Sequence, residues 1–116
     1  LYWHKHGIES VLVRIGSAFP EPVDARMLAT WLSYADLVRL CERAVLAAET
    51  GCCVLSGTTN NSRMTWWEGD ARDLIGWAPQ DSADGFADKV GDKTSGDPVI
   101  EAHQGGAYVT MGWTRS

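Results

Sequence analysis

Between Leu12 and Trp31 the chain reads Leu-Val-Arg-Ile-Gly-Ser-Ala-Phe-Pro-Glu-Pro-Val-Asp-Ala-Arg-Met-Leu-Ala-Thr-Trp, and the two prolines at its centre limit what it can become. Pro20 and Pro22 lack backbone N–H groups and have a fixed φ, so neither a helix nor a central strand can run through them. The apolar run Val11 to Ile15, broken only by Arg14, must finish before them. It suits a strand buried on both faces of a parallel sheet, ended by Gly16. Ser17 to Ala25 is then a stiff loop, and an apolar, helix-like segment follows Arg26. A loop held between a strand and a helix is where functional side chains concentrate.

The flanking elements extend this pattern. Leu1 to His6 reads as the last turns of a helix closed by Gly7. A start inside a helix, without methionine or cap, implies a piece of a larger protein. Ser33 with Asp36 three residues on is a helix-start signal, and Leu37, Leu40, Cys41, Ala44 and Val45 follow at helical spacing. Gly51 is expected to end that helix, and Cys52 to Ser56 to form a second strand with its exit loop at Gly57 and Asn60-Asn61. Asp70 is expected to cap a short helix through Ile75, followed by a compact hydrophobic turn to Pro79. Ser82 starts another helix, with Phe86 and Val90 one turn apart. Gly91 to Pro98 reads as an exposed linker, and Ala107 to Met111 as a terminal strand.

With 116 residues, 45% hydrophobic and 22% charged, the chain is one soluble domain or part of one. The formal net charge of -5 comes without a basic stripe, which argues against nucleic acid as a partner. The longest apolar run, Ala44 to Ala48, is far short of the roughly 20 residues a bilayer demands, and no signal peptide precedes it. Three cysteines without Cys-x-x-Cys spacing fit neither a disulfide framework nor a zinc knuckle, and a cytoplasmic location fits best. On a strand, Cys52 and Cys53 point to opposite faces and read as small buried residues. His4 and His6 diverge around a helix and make a poor metal site.

Arg14-Ile15-Gly16-Ser17, Pro20-Glu21-Pro22, the Arg26-Met27-Leu28-x-Thr30-Trp31 run, Trp66-Trp67 and Leu74-Ile75-Gly76-Trp77-Ala78-Pro79 together resemble NAD-dependent uronate dehydrogenases of the extended short-chain dehydrogenase/reductase (epimerase/dehydratase) family. The resemblance spans residues 1 to about 90 and weakens afterwards. It implies an α/β fold: the C-terminal, substrate-binding part of a Rossmann-type enzyme, residues 1–116, lacking the N-terminal dinucleotide-binding half. No Gly-rich fingerprint and no Tyr-x-x-x-Lys pair occurs in the chain. Lys5 follows Tyr2 by three residues instead of four, so neither is assigned a catalytic role.

The site expectations follow from that resemblance. Arg26 matches the family's arginine that grips the substrate carboxylate, and a guanidinium suits the task because its planar fork can meet a carboxylate through two parallel bonds. The alternative for such a loop arginine is a surface salt bridge to Asp24 or Glu21. Ser17 is expected to hydrogen-bond the sugar, although a serine after glycine is on its own a turn former. Ile15 and Gly16 are expected beside the nicotinamide of NAD, where a missing side chain permits close approach; the rest of the cofactor belongs to the absent half. Arg14 is expected to pair with a carboxylate beneath the loop. Trp66 and Trp67 suit packing, or the mouth of the site, and His103 is read as solvated.

The implied activity of the intact parent is oxidation of the anomeric carbon of a hexuronic acid, such as glucuronate or galacturonate, to an aldarolactone. The fragment alone is expected to be inactive and prone to self-association. A nucleotide-sugar epimerase or dehydratase, whose loop is usually longer, and a noncatalytic ligand-binding or interaction module on the same fold are the alternatives.

Overall fold

The computed structural model describes residues 1–67 and 72–112. Its centre is a parallel pair of strands, β1 (Ser10–Ile15) and β4 (Cys52–Gly57), in register from Ser10 opposite Cys52 to Ile15 opposite Gly57. Parallel neighbours need a long crossover, and here it carries the chain's longest helix, α3 (Tyr34–Leu46). A short helix α1 (Tyr2–His6) precedes β1 and closes on Gly7 at φ 64°, the left-handed cap that glycine favours.

The proline segment is not entirely loop. Ser17–Ala18 forms a two-residue strand, β2, parallel to β3 (Trp31–Leu32), with Ser17 opposite Trp31. Between them the chain passes through Pro20 and Pro22 and turns into a one-turn helix, α2 (Met27–Thr30), started by Asp24, whose carboxylate accepts from the Met27 amide at 2.9 Å. The Trp31 indole N–H donates to the Phe19 carbonyl at 2.8 Å and pins the proline turn to β3.

Helix α3 begins where its sequence signal places it: Ser33 is the N-cap and accepts from the Asp36 amide at 3.0 Å. Asp36 does more than help start a helix. Fully buried, its carboxylate accepts from the backbone amides of Gln80 and Asp81, each at 2.9 Å, and from Arg39 at 2.7 Å. The helix ends at Leu46, before Gly51, with Ala47 already extended; Gly51 at φ 58° instead turns the chain into β4. Leu40 is buried, but Cys41 and Val45 face outward, so the apolar stripe is narrower than the spacing suggests.

Two apolar clusters hold these pieces. One joins Leu32, Leu40 and Leu55 to Ile75 and Trp77, with Val11, Val13 and Leu37 at its edge. Ile75 belongs to α4 (Arg72–Ile75) and Trp77 to the turn after it, which Gly76 enters at φ 66°; the expected cap Asp70 lies outside the described residues. The other cluster joins Met27, Leu28 and Trp31 to Ala83 and Val90, with Phe86 edge-on to Trp31. Phe86 closes a 3₁₀ turn (Asp84–Phe86) that leads into α5 (Ala87–Val90). Asn61, expected only to mark an exit loop, ties the α2–β3 segment to the chain at Ala83 beside the second cluster. Its amide nitrogen donates to the Ala29 and Trp31 carbonyls at 2.9 Å, and its oxygen accepts from the Ala83 amide at 2.9 Å and the Thr59 hydroxyl.

Three expectations are corrected. β1 is not buried on both faces: Val11 and Val13 meet the core, Leu12 on the opposite face is 48% exposed, and Ile15, on the Val13 face but at the strand's end beside a cleft, is 50% exposed. Cys53 is buried, and burial raises its thiol pKa with smaller contributions from Cys52 and Glu9, but Cys52 is exposed on the open face. The segment after Gly105 is not a strand. Asp97 caps α6 (Pro98–Ala102) by accepting from the Val99 amide at 2.8 Å, and Gly106–Val109 is a 3₁₀ turn folded back onto the loop that contains Arg26.

Candidate functional site

Open α/β folds bind ligands outside the carboxyl ends of parallel strands. At that end of β1 a cleft of about 410 Å³ is lined by Ile15, Gly16, Ser17 and Arg26 on one side and by Gln104, Gly105, Ala107 and Tyr108 on the other. The four residues singled out by sequence thus converge on one surface, although Arg26 is eleven positions from Ile15.

Arg26 sits at the N-cap of α2, partly buried, and is not ion-paired to Asp24 or Glu21 among the described residues; Glu21 pairs instead with Lys89. One terminal nitrogen, Nη2, donates to the Gln104 carbonyl at 2.5 Å, and the buried Nε has no hydrogen-bond partner among the described residues. A buried donor left unpaired is costly, so the guanidinium retains unmet capacity for an acceptor. Gly106, at φ 56°, lets the backbone lie directly against this group: a Cβ there would be 2.6 Å from the Arg26 Cζ. A second cleft of about 560 Å³ reaches Arg26 from the side of Asp24, Lys93 and Glu101. Ser95 donates to Glu101 through both its amide (2.8 Å) and its hydroxyl (2.7 Å), and these two bonds, with a smaller contribution from Arg26, hold the Glu101 carboxyl below the usual carboxylate range.

Ser17 lies in β2, not in free loop, with its Oγ 2.9 Å from the hydroxyl of Thr30. Gly16 also meets a packing requirement of its own. A Cβ at this position would stand 2.0 Å from the Thr30 carbonyl oxygen and 2.9 Å from Thr58 Cγ2, so the missing side chain accommodates the protein behind the strand. Arg14 is exposed and stacks over Trp67, its guanidinium carbon 5.5 Å from the ring centre, and among the described residues it has no ion pair of the kind expected. Trp66 is partly buried and donates to the Ala102 carbonyl at 3.3 Å. His103 is exposed, with Nδ1 2.8 Å from the Val99 carbonyl. Sequence reasoning missed the far wall, Gln104 to Tyr108. Its only signal, Gly105-Gly106, announces a turn without saying what the turn touches.

A parallel β-α-β unit with a cleft at the strands' carboxyl edge is part of a Rossmann-type α/β fold. No family model matches the chain. Individual proteins do match. The uronate dehydrogenase of Pseudomonas syringae pv. tomato is 41% identical over 114 residues, a stretch that spans 96% of this chain and 41% of that protein. The uronate dehydrogenase of Agrobacterium fabrum is 39% identical over 112 residues. Among solved structures, a glucuronic acid dehydrogenase from Chromohalobacter salexigens superposes with a TM-score of 0.85 at 43% identity, covering 96% of this chain and 42% of that one. A uronate dehydrogenase variant from Agrobacterium tumefaciens complexed with NAD superposes with a TM-score of 0.84 at 39% identity. Over nearly its whole length the chain is thus similar, in sequence and in structure, to a C-terminal portion of uronate dehydrogenases, whose fold is Rossmann-like and of the short-chain dehydrogenase/reductase type. It spans about two fifths of the length of the relatives it matches.

Proposed function

We propose that this chain forms the substrate-holding side of an NAD-dependent dehydrogenase acting on a hexuronic acid. The observation that carries the reading is the partly buried Arg26, its Nε without a partner among the described residues, in a cleft shared with Ser17. A uronic acid differs from a neutral sugar by its carboxylate, and a guanidinium with a free donor is the group that recognises this difference. Arg26 would hold the carboxylate, and Ser17 a ring hydroxyl. Two fixed points orient the sugar, which is a positioning role.

NAD, when bound, supplies the hydride acceptor for oxidation at the anomeric carbon. The fit to this chain is partial: Ile15 and the Gly16 backbone border the cleft and would meet only the nicotinamide end, and no Gly-rich phosphate loop is present. No residue of this chain is assigned a catalytic proton transfer, so the 116 residues by themselves are expected to be inactive. The proposed setting is a cytoplasmic enzyme with a sugar acid as its small-molecule partner. Among the described residues no helix is long and apolar enough to cross a membrane.

The test is steady-state kinetics of the full-length gene product with glucuronate or galacturonate and NAD. Arg26→Ala should raise KM about 100-fold, the loss expected for a charge-assisted pair. Arg26→Lys, which keeps the charge without the fork, should fall between. Wild-type kinetics in Arg26→Ala would remove the carboxylate assignment.

A further inference from the structure

We propose that Thr30 is a positioning residue that fixes the direction in which Ser17 meets the sugar and joins Ser17 to Arg26 as one unit. The proposal rests on the reading that those two residues hold a uronic acid. Thr30 is 1% exposed and does not line the cleft, so it acts through its neighbours. Two of its groups touch the site's three central residues. The hydroxyl is 2.9 Å from Ser17 Oγ and 3.5 Å from the Arg26 carbonyl, and its own carbonyl occupies the space a Gly16 side chain would need.

The hydroxyl contacts differ in strength. At 3.5 Å the approach to the Arg26 carbonyl is at the limit of a hydrogen bond, and that oxygen already accepts from the amides of Ala29 at 3.0 Å and Thr30 at 3.3 Å. In the proposed arrangement the Thr30 proton goes to Ser17, a direction the 2.9 Å contact between the two hydroxyls permits. Ser17 keeps its own proton for an acceptor on the ligand, and its rotamer, otherwise free among three staggered wells, is held by the bond it receives. Burial protects that bond from competition with water. Because Thr30 closes the helical turn that begins at Arg26, a shift of Ser17 relative to Arg26 would have to break the β2–β3 pairing as well.

The experiment is a double-mutant cycle in the full-length gene product, read as KM for glucuronate at saturating NAD. Thr30→Val keeps the shape and removes the donor; it should raise KM about 5-fold, as should Ser17→Ala, with kcat changed less. The double variant should be no worse than Ser17→Ala alone, because one bond is removed once. Thr30→Ser should stay within about 2-fold of wild type, a rescue that loss of packing would not give. Unchanged KM in Thr30→Val, or effects that multiply in the double variant, would overturn the proposal. If Thr30→Val does not fold, Thr30→Ala against Thr30→Ser makes the same comparison, and a raised KM in the serine variant is the contrary result. Failure of the underlying site reading looks different: Arg26→Ala and Ser17→Ala would then both leave glucuronate kinetics untouched.

Discussion

The guanidinium of Arg26 donates to the backbone oxygen of Gln104 across 2.5 Å, seventy-eight positions along the chain. This bond makes the candidate site a two-sided structure: the 3₁₀ turn after Gly105 rests on the arginine, and the arginine is held at one nitrogen while Nε has no partner among the described residues. Its geometry depends on Gly106, which lies against the same guanidinium.

Gly106→Ala should therefore weaken uronate binding without removing the arginine. The new methyl would need to occupy space 2.6 Å from Arg26 Cζ, and the left-handed backbone at φ 56° adds about 1 kcal/mol of strain. Gly96→Ala is the control, since Gly96 is also left-handed at φ 75° but has no atom within 4 Å of a built Cβ. Both variants should lose a little stability in urea melts. Only Gly106→Ala should raise the KM for glucuronate, and equal KM values in the two variants would count against the clamp.

Acid should loosen the segment that carries Gln104. The two bonds from Ser95 favour the ionised Glu101, so its folded-state pKa is lowered. A lowered pKa gives stabilisation that is present above the ordinary carboxylate pKa and is lost as pH falls through the folded-state value. Amide exchange at Ser95 should accelerate over that acidic window in the wild-type chain. In Glu101→Gln the acceleration should be absent, and an identical pH profile in both proteins would refute the link.

The open face of the central sheet should make the 116-residue chain associate with itself. Leu12 and Val54 lie opposite each other in register and are 48% and 49% exposed, next to the exposed Cys52. Paired apolar side chains on an uncovered sheet face favour contact with a second copy. Light scattering should show concentration-dependent association that Leu12→Glu reduces. A monodisperse wild-type monomer at high concentration would contradict this expectation.

Local signals were the most legible. Ser33 and Asp36 announce α3 because a cap is a contact between residues three apart, and Gly7 announces the end of α1 because only its own φ matters. Ser17 and Arg26 were expected together only because the resemblance to uronate dehydrogenases pairs them, and both line one cleft. What stayed hidden depends on contacts across the chain. Asn61 looks like a turn residue until Ala29, Trp31 and Ala83 are brought around it, and Asp36 looks like a cap until Gln80 and Asp81 arrive. The Gln104 carbonyl is invisible for a simpler reason: every residue has a carbonyl, and only the fold selects which one faces an arginine. The Pro98–Ala102 helix was not anticipated, Pro98 falling at the end of the expected linker, because its single turn is too short for an apolar period to emerge, although Asp97-Pro98 is a sound helix start.

Gly16 carries a consequence for how such motifs are interpreted. With the Thr30 carbonyl directly behind it, even one methyl group there would push α2 away from β1, and Arg26 would move with it. A glycine that borders a ligand cleft invites explanation by what lies in front of it, yet this one answers to the backbone at its back. Substitution at Gly16 would thus be felt first as a misplaced arginine, and a loss of uronate affinity would precede any change in how the nicotinamide is received.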